Sequence, residues 1–228
     1  MPSFGESIEE LSRIRIEDNG EPLVKVLDLC PEIRFALDHP KFPGRPRTCW
    51  ARKTVAEMIC EAQDQLPDGL YLEIQDAYRS LESQIALFKL LCEEFKALHP
   101  EWSETILLER TNDFVASPYA SAPPPHTTGG AVDVTIVDAS GERLDMTSPL
   151  GWDEESAPTS YPGISEQARK NRHILITAMS KAGFSNYLGE WWHWSYGDQG
   201  WALRTGRDTA IYGPCCEGET GRVGERAT

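Results

Sequence analysis

Apolar residues along this chain switch several times between helical and strand spacing. Between Arg47 and Gln65 the positions Val55, Met58, Ile59 and Ala62 recur every three to four residues, which predicts a helix. Pro67-Asp68-Gly69 is a turn, and Leu70 to Tyr78 alternates, with Leu72 and Ile74 on one parity and Glu73 and Gln75 on the other: a half-buried strand. Ser80 is placed to cap a helix carrying Ile85, Leu87, Phe88, Leu91 and Phe95, ended by Pro100, and a shorter helix is expected over Glu101 to Arg110. Ala131 to Val137, rich in β-branched residues, predicts a second strand. Ser165 to Ala182 reads as a helix with Ala168, Ile174, Leu175 and Ala178 or Met179 on its buried side and Gly183 closing it. The aromatic run from Trp191 to Tyr196 predicts a third strand.

The connections are as informative as the elements. Pro31 to Pro46 is proline-rich and reads as a loop, and Ser117 to Pro125 as irregular chain. Thr147 to Gly163 is a long polar stretch without period, a length that in a compact domain often marks a lid or binding loop. No repeat or low-complexity linker interrupts the 228 residues, so the expectation is one α+β domain over residues 1–213 with a mobile tail over 214–228.

Charge narrows the class of partner. A net charge of −14 disfavours nucleic acid, which demands basic surface, and disfavours docking on anionic lipid. No run reaches the length of a membrane span, and Met1 to Ser12, with Glu6, Glu9 and Glu10, lacks the apolar core of a secretory signal. The six cysteines form no Cys-x-x-Cys pair, so idle thiols in a reducing cytoplasm are expected.

Two segments carry chemistry. The first runs from His126 to Asp133 and contains Gly129-Gly130, and the second is Glu190-Trp191-Trp192-His193. Together they supply two imidazoles, a carboxylate able to ligate and a carboxylate able to act as a base, the components of a catalytic zinc site. Three prolines stiffen the approach to His126, and the glycine pair permits a turn that brings Asp133 back beside it. Asp133 lies in an apolar strand between Val132 and Val134, where an unpaired charge is costly; a metal or a salt bridge to arginine would each explain it. Residues three apart on a regular strand face opposite ways, so if Glu190 and His193 serve one site, Glu190 must precede the strand or sit at a bulge. Arg79, at the end of the first strand, is placed either to stabilise an oxyanion or to pair with Asp76.

Taken in order, Asp76-Ala-Tyr-Arg79, His126-x-x-Gly129-x-Ala131-x-Asp133 and Glu190-x-Trp192-His193 resemble the zinc D-alanyl-D-alanine dipeptidases, over about Arg47 to Tyr196. The resemblance implies a small, mainly antiparallel central sheet flanked by helices, as in hedgehog and D,D-peptidase domains. It implies His126, Asp133 and His193 as ligands of one zinc ion per chain, Glu190 as general base and then acid, and Arg79 steadying the tetrahedral intermediate. An aspartate after the second strand would bind the substrate's ammonium. Asp153 is the candidate and Asp145 the second choice. Where many members have a serine two positions before the first histidine, this chain has Pro124, leaving Ser121, Thr127 or Thr128 to supply that hydroxyl. The implied activity is hydrolysis of a small dipeptide, D-Ala-D-Ala, in the cytoplasm. Related enzymes with the same triad trim longer wall peptides, and hedgehog-type domains keep the metal without catalysis.

Overall fold

A five-stranded sheet forms the centre of the computed structural model, which describes residues 6–36, 47–148 and 155–215. In chain order the elements are α1 (Ile8–Arg13), β1 (Arg15–Ile16), β2 (Leu23–Lys25), α2 (Val26–Leu29), β3 (Arg34–Phe35), β4 (Trp50–Arg52), α3 (Lys53–Gln63), β5 (Leu70–Asp76), α4 (Leu81–Leu98), α5 (Glu104–Asn112), a 3-10 turn (Pro125–Thr128), β6 (Ala131–Asp138), α6 (Glu166–Lys181), β7 (Ser185–Asn186), β8 (His193–Ser195), α7 (Gln199–Arg204) and β9 (Thr209–Ala210). The central sheet has the order β3-β5-β6-β8-β7. Only β3 and β5 run parallel; the other pairs are antiparallel.

Alternation along β5 and β6 decides which face packs. Leu72, Ile74, Val132, Val134 and Ile136 are fully buried and join Val55 and Ile59 of α3 and Leu175 and Met179 of α6 in one cluster. Asp133, between Val132 and Val134, necessarily takes the opposite face. A smaller cluster of Leu87, Phe88, Leu91 and Val115 joins α4 to the chain beyond α5. The expected caps are present: Ser80 accepts from the Ser83 amide and Ser165 from the Ala168 amide, while Gly183, at φ 96°, follows α6 in the left-handed region.

The structure departs from the sequence reading at short strands. The first three residues ahead of α3 are β4, which pairs with β2; the expected helix therefore begins only at Lys53. Part of the proline-rich segment expected to be a loop forms β3, held by two register positions against β5. Trp191 and Trp192 lie before β8 rather than in it. Such two- and three-residue strands are made by partners distant in sequence and leave no periodicity of their own. At the far end, the Cys215 amide donates to the Thr127 carbonyl (2.8 Å), so ordered contacts extend past Gly213. No disulfide joins the described cysteines, and no described helix is long and apolar enough to cross a membrane.

Two buried arginines organise the irregular chain. Arg52, 2% exposed, donates to the carbonyls of Thr128, Glu21 and Gly213 and to the Asp18 carboxylate. Arg172, equally buried on α6, donates to the carbonyls of Met146, Ser156, Pro158 and Thr159 and to the Ser148 hydroxyl. The described parts of the long segment Thr147 to Gly163 are thus tied to one side chain; residues 149–154 lie outside the described residues. Replacing Arg172 with methionine keeps the bulk but strands several buried acceptors. Urea unfolding should show a loss of about 3 kcal/mol, and a loss under about 0.5 kcal/mol would mean that the loop holds itself.

Candidate active site

His126 sits in the 3-10 turn Pro125–Thr128, which ends at Gly129 with φ 71°. Glycine is required at 129 both by that angle and by space, because a Cβ there would lie 2.5 Å from Leu23 Cδ2. Gly130 is required by close approach: a Cβ would lie 2.5 Å from the Tyr196 carbonyl oxygen. The chain therefore turns directly from His126 into β6. The His126 Nδ1–H donates to the Ala77 carbonyl (2.8 Å), and the Arg79 amide donates to the His126 carbonyl (3.0 Å). This fixes the ring and turns Nε2 toward Asp133.

Asp133 faces both imidazoles. Its Oδ2 lies 3.3 Å from His126 Nε2 and its Oδ1 lies 3.0 Å from His193 Nδ1. One donor atom from each of the three residues falls within 4.8 Å of the others, close enough to share one metal ion. Two neutral imidazoles and one carboxylate suit zinc, with an open fourth position. Burial opposes charge on Asp133, but the imidazoles of His126 and then His193 outweigh it and hold the carboxyl well below its ordinary value.

Glu190 precedes β8, where the sequence argument required it to be. Its amide donates to the Tyr187 carbonyl (3.0 Å) and its own carbonyl accepts from the His193 amide (3.3 Å) and from Asn186 Nδ2 (3.0 Å). This turn interrupts strand alternation and brings Glu190 Oε2 to 4.0 Å from His193 Nδ1. Burial first, and the Asp133 charge second, push the Glu190 carboxyl well above its ordinary value, with Arg79 opposing. Two adjacent carboxyls are thus driven in opposite directions, an arrangement that separates a ligand from a proton carrier.

Arg79 takes one of its two expected placements, the pairing with Asp76. Its Nη2 meets Asp76 Oδ2 at 2.5 Å and its Nη1 meets Gln84 Oε1 at 2.6 Å, while Gln84 is anchored on the Ala116 carbonyl (2.6 Å). Held this way and 10% exposed, it lines the same cavity of about 240 Å³ as His126, Asp133, Glu190 and His193.

A family model described as D-ala-D-ala dipeptidase matches residues 40–209. The chain belongs to the D-Ala-D-Ala dipeptidase family. It is therefore a metallopeptidase, as the three ordered motifs implied. A D-alanyl-D-alanine dipeptidase of Synechocystis sp. is 31% identical over 88% of this chain and 92% of its own length. The dipeptidase of that name from Escherichia coli is 30% identical over 55% of this chain and 54% of its own. Among solved structures, VanYB in complex with D-alanine-D-alanine aligns at 18% identity and a TM-score of 0.43, covering 69% of this chain and 79% of that one.

Of the remaining residues expected at the site, Asp153 lies outside the described residues. Asp145 is turned elsewhere: it accepts from the Thr147 amide (2.6 Å) and the Ser165 hydroxyl (2.8 Å) and does not line the cavity. The Thr127 and Thr128 hydroxyls donate to the Pro124 and Pro125 carbonyls, closing the turn around His126. Sequence reasoning missed Gln84 as the second anchor of Arg79, and missed Tyr187, whose ring lies edge-on to His193 at 6.2 Å. Gln84 lies on α4, whose periodicity shows only packing, and Tyr187 in the connection between β7 and β8, which has no period at all.

The raised Glu190 carboxyl gives a pH test on metal-free protein. A carboxyl raised on folding leaves stability intact below its ordinary value and removes it as pH rises through the folded value. Glu190→Gln should therefore unfold like wild type near pH 4 and be more stable by on the order of 1 kcal/mol near pH 8. Urea titrations across this range check it; a difference independent of pH would contradict the burial argument.

Proposed function

We propose that this family member is a zinc dipeptidase that hydrolyses D-Ala-D-Ala. His126, Asp133 and His193 hold one zinc ion per chain, Glu190 carries the proton, and Arg79 steadies the developing oxyanion. The observation that carries the reading is the placement of Glu190: beside the three clustered donor atoms, 4.0 Å from the nearest ligand nitrogen, and outside the cluster. The names of the sequence relatives support the substrate, and a cavity of about 240 Å³, small for a ligand pocket, suits a dipeptide better than a long stem.

When bound, zinc supplies Lewis acidity, polarising a carbonyl and making water acidic enough to lose a proton near pH 7. Glu190 accepts that proton as water attacks the scissile carbonyl carbon. Its place beside the donor cluster, close to but outside it, positions Glu190 both to take the proton and to deliver it to the departing amine. The Arg79 guanidinium, fixed by Asp76 and Gln84, is already oriented when the carbonyl oxygen gains charge, so no reorganisation opposes the step. Breakage of the amide bond with uptake of one water yields two D-alanines. Asp153 pairs with the substrate's ammonium in this scheme, and the enzyme works in the cytoplasm as a single domain over residues 1–213.

Glu190→Gln should retain about one zinc per chain by elemental analysis while kcat falls roughly 10²- to 10⁴-fold. Loss of zinc together with activity would make Glu190 a structural residue. Arg79→Ala should lower kcat about 10²- to 10³-fold with metal retained. For substrate class, D-Ala-D-Ala and a pentapeptide stem should be compared with zinc-loaded wild type. Release of D-alanine from the dipeptide and not from the stem is expected, and the reverse would overturn the dipeptidase reading.

A further inference from the structure

The cavity has a second polar wall that the proposed hydrolysis does not use. Ser195 stands two residues after His193 on β8 and so shares its face. Its hydroxyl donates to Asp198 Oδ1 (2.9 Å), which also accepts the Trp201 amide (2.6 Å). The other carboxylate oxygen, Asp198 Oδ2, has no hydrogen-bond partner among the described residues, although Asp198 is only 2% exposed. Gln199, 7% exposed, repeats the situation: its Nε2 donates to the Ile14 carbonyl (2.7 Å), while its Oε1 has no partner among the described residues. Glu6, brought in by the segment ahead of α1, completes the wall. Its Oε1 meets Arg204 Nη1 at 2.6 Å, and its Oε2 lies over Gly200, 3.2 Å from where a Cβ would stand. All three residues line the same cavity as Glu190 and His193.

Buried acceptors without donors are costly, and here they come as a group. Of the two carboxylates only Glu6 is paired with the Arg204 guanidinium, which spends its Nε on Ser185 and its Nη2 on Ser195. The wall therefore offers acceptor oxygens and an excess of negative charge. Its complement is a small group with several N–H donors and one positive charge. Burial, ahead of the opposing Arg204 charge, pushes the Glu6 carboxyl up, as suits a carboxylate short of positive neighbours.

We infer that Glu6, Asp198 and Gln199 form a subsite for an ammonium group of the substrate. This rests on the peptidase reading and deepens it. The ammonium has two possible sources: the free N-terminus of the dipeptide, or the side-chain amine of a diamino acid residue.

The test is calorimetric binding to zinc-loaded Glu190→Gln protein, with D-Ala-D-Ala, N-acetyl-D-Ala-D-Ala and N-acetyl-D-Lys-D-Ala as probes. Glu6→Gln and Gln199→Met, each added to that background, should weaken at least one amine-bearing probe about tenfold and leave N-acetyl-D-Ala-D-Ala within about twofold. If D-Ala-D-Ala is the probe weakened, the subsite reads the N-terminus and takes that role from Asp153. If only the lysyl probe weakens, it reads a side-chain amine. Unchanged affinity for all three probes, or an equal loss for all three, overturns the proposal. Because binding is read here and hydrolysis by the Glu190-bearing protein is read separately, failure of the subsite and failure of the dipeptidase reading are distinguishable.

Discussion

An ionised carboxylate in the middle of a central strand dominates the design of this molecule. Asp133 is flanked in register by Asp76 on β5 and by His193 on β8, so three titratable side chains stand in a row across the sheet. Two of them are like charges on neighbouring strands, an arrangement that costs stability unless each is separately compensated. The compensation comes from opposite directions: Asp76 is paired with Arg79, and Asp133 with His126 and His193. The register shift between Ile74 and Asp76 sets this alignment, one more case of a bulge next to a reactive centre. Remove the cation-binding capacity of the row and the sheet would hold an uncompensated charge. The fold and the His126–Asp133–His193 cluster are therefore built together.

Much of that row is readable from local sequence. His126 and Asp133 are separated by six residues whose glycines announce the turn, and Glu190 could be displaced from the strand by parity alone. Ser80 and Ser165 announce helices because a cap needs only its own next three residues. Arg52 and Arg172 were not readable. Each is a lone arginine whose partners are mostly backbone carbonyls, and a carbonyl has no residue type to recognise. The short strands β3 and β4 escaped for the same reason: their partners, β5 and β2, are specified elsewhere in the chain. Glu6 looked like one acidic residue among several at the start of the chain, and only the fold shows that it reaches the cavity.

The opposed behaviour of Asp133 and Glu190 also follows from position. Both carboxyls are deeply set, but Asp133 sits between two imidazoles while Glu190 sees Asp133 itself as a neighbour. In the metal-free protein the negative charge of Asp133 thus raises its neighbour's affinity for protons. Family membership tells which chemistry to expect; the distances explain why the two carboxyls differ in their hold on a proton.

Contacts between distant parts of the chain bear on how the protein is made. β1 pairs with β9, Arg52 is satisfied in part by the Gly213 carbonyl, and the turn that presents His126 receives the Cys215 amide. Residues early in the chain therefore wait for partners that are synthesised much later. Until about residue 215 has emerged, Arg52 lacks one of its four acceptors and β1 lacks its partner strand. Pairings of such long sequence separation slow folding, and they make the completed reactive centre a late, post-synthetic event. A nascent chain would carry its helices well before it carried a working peptidase.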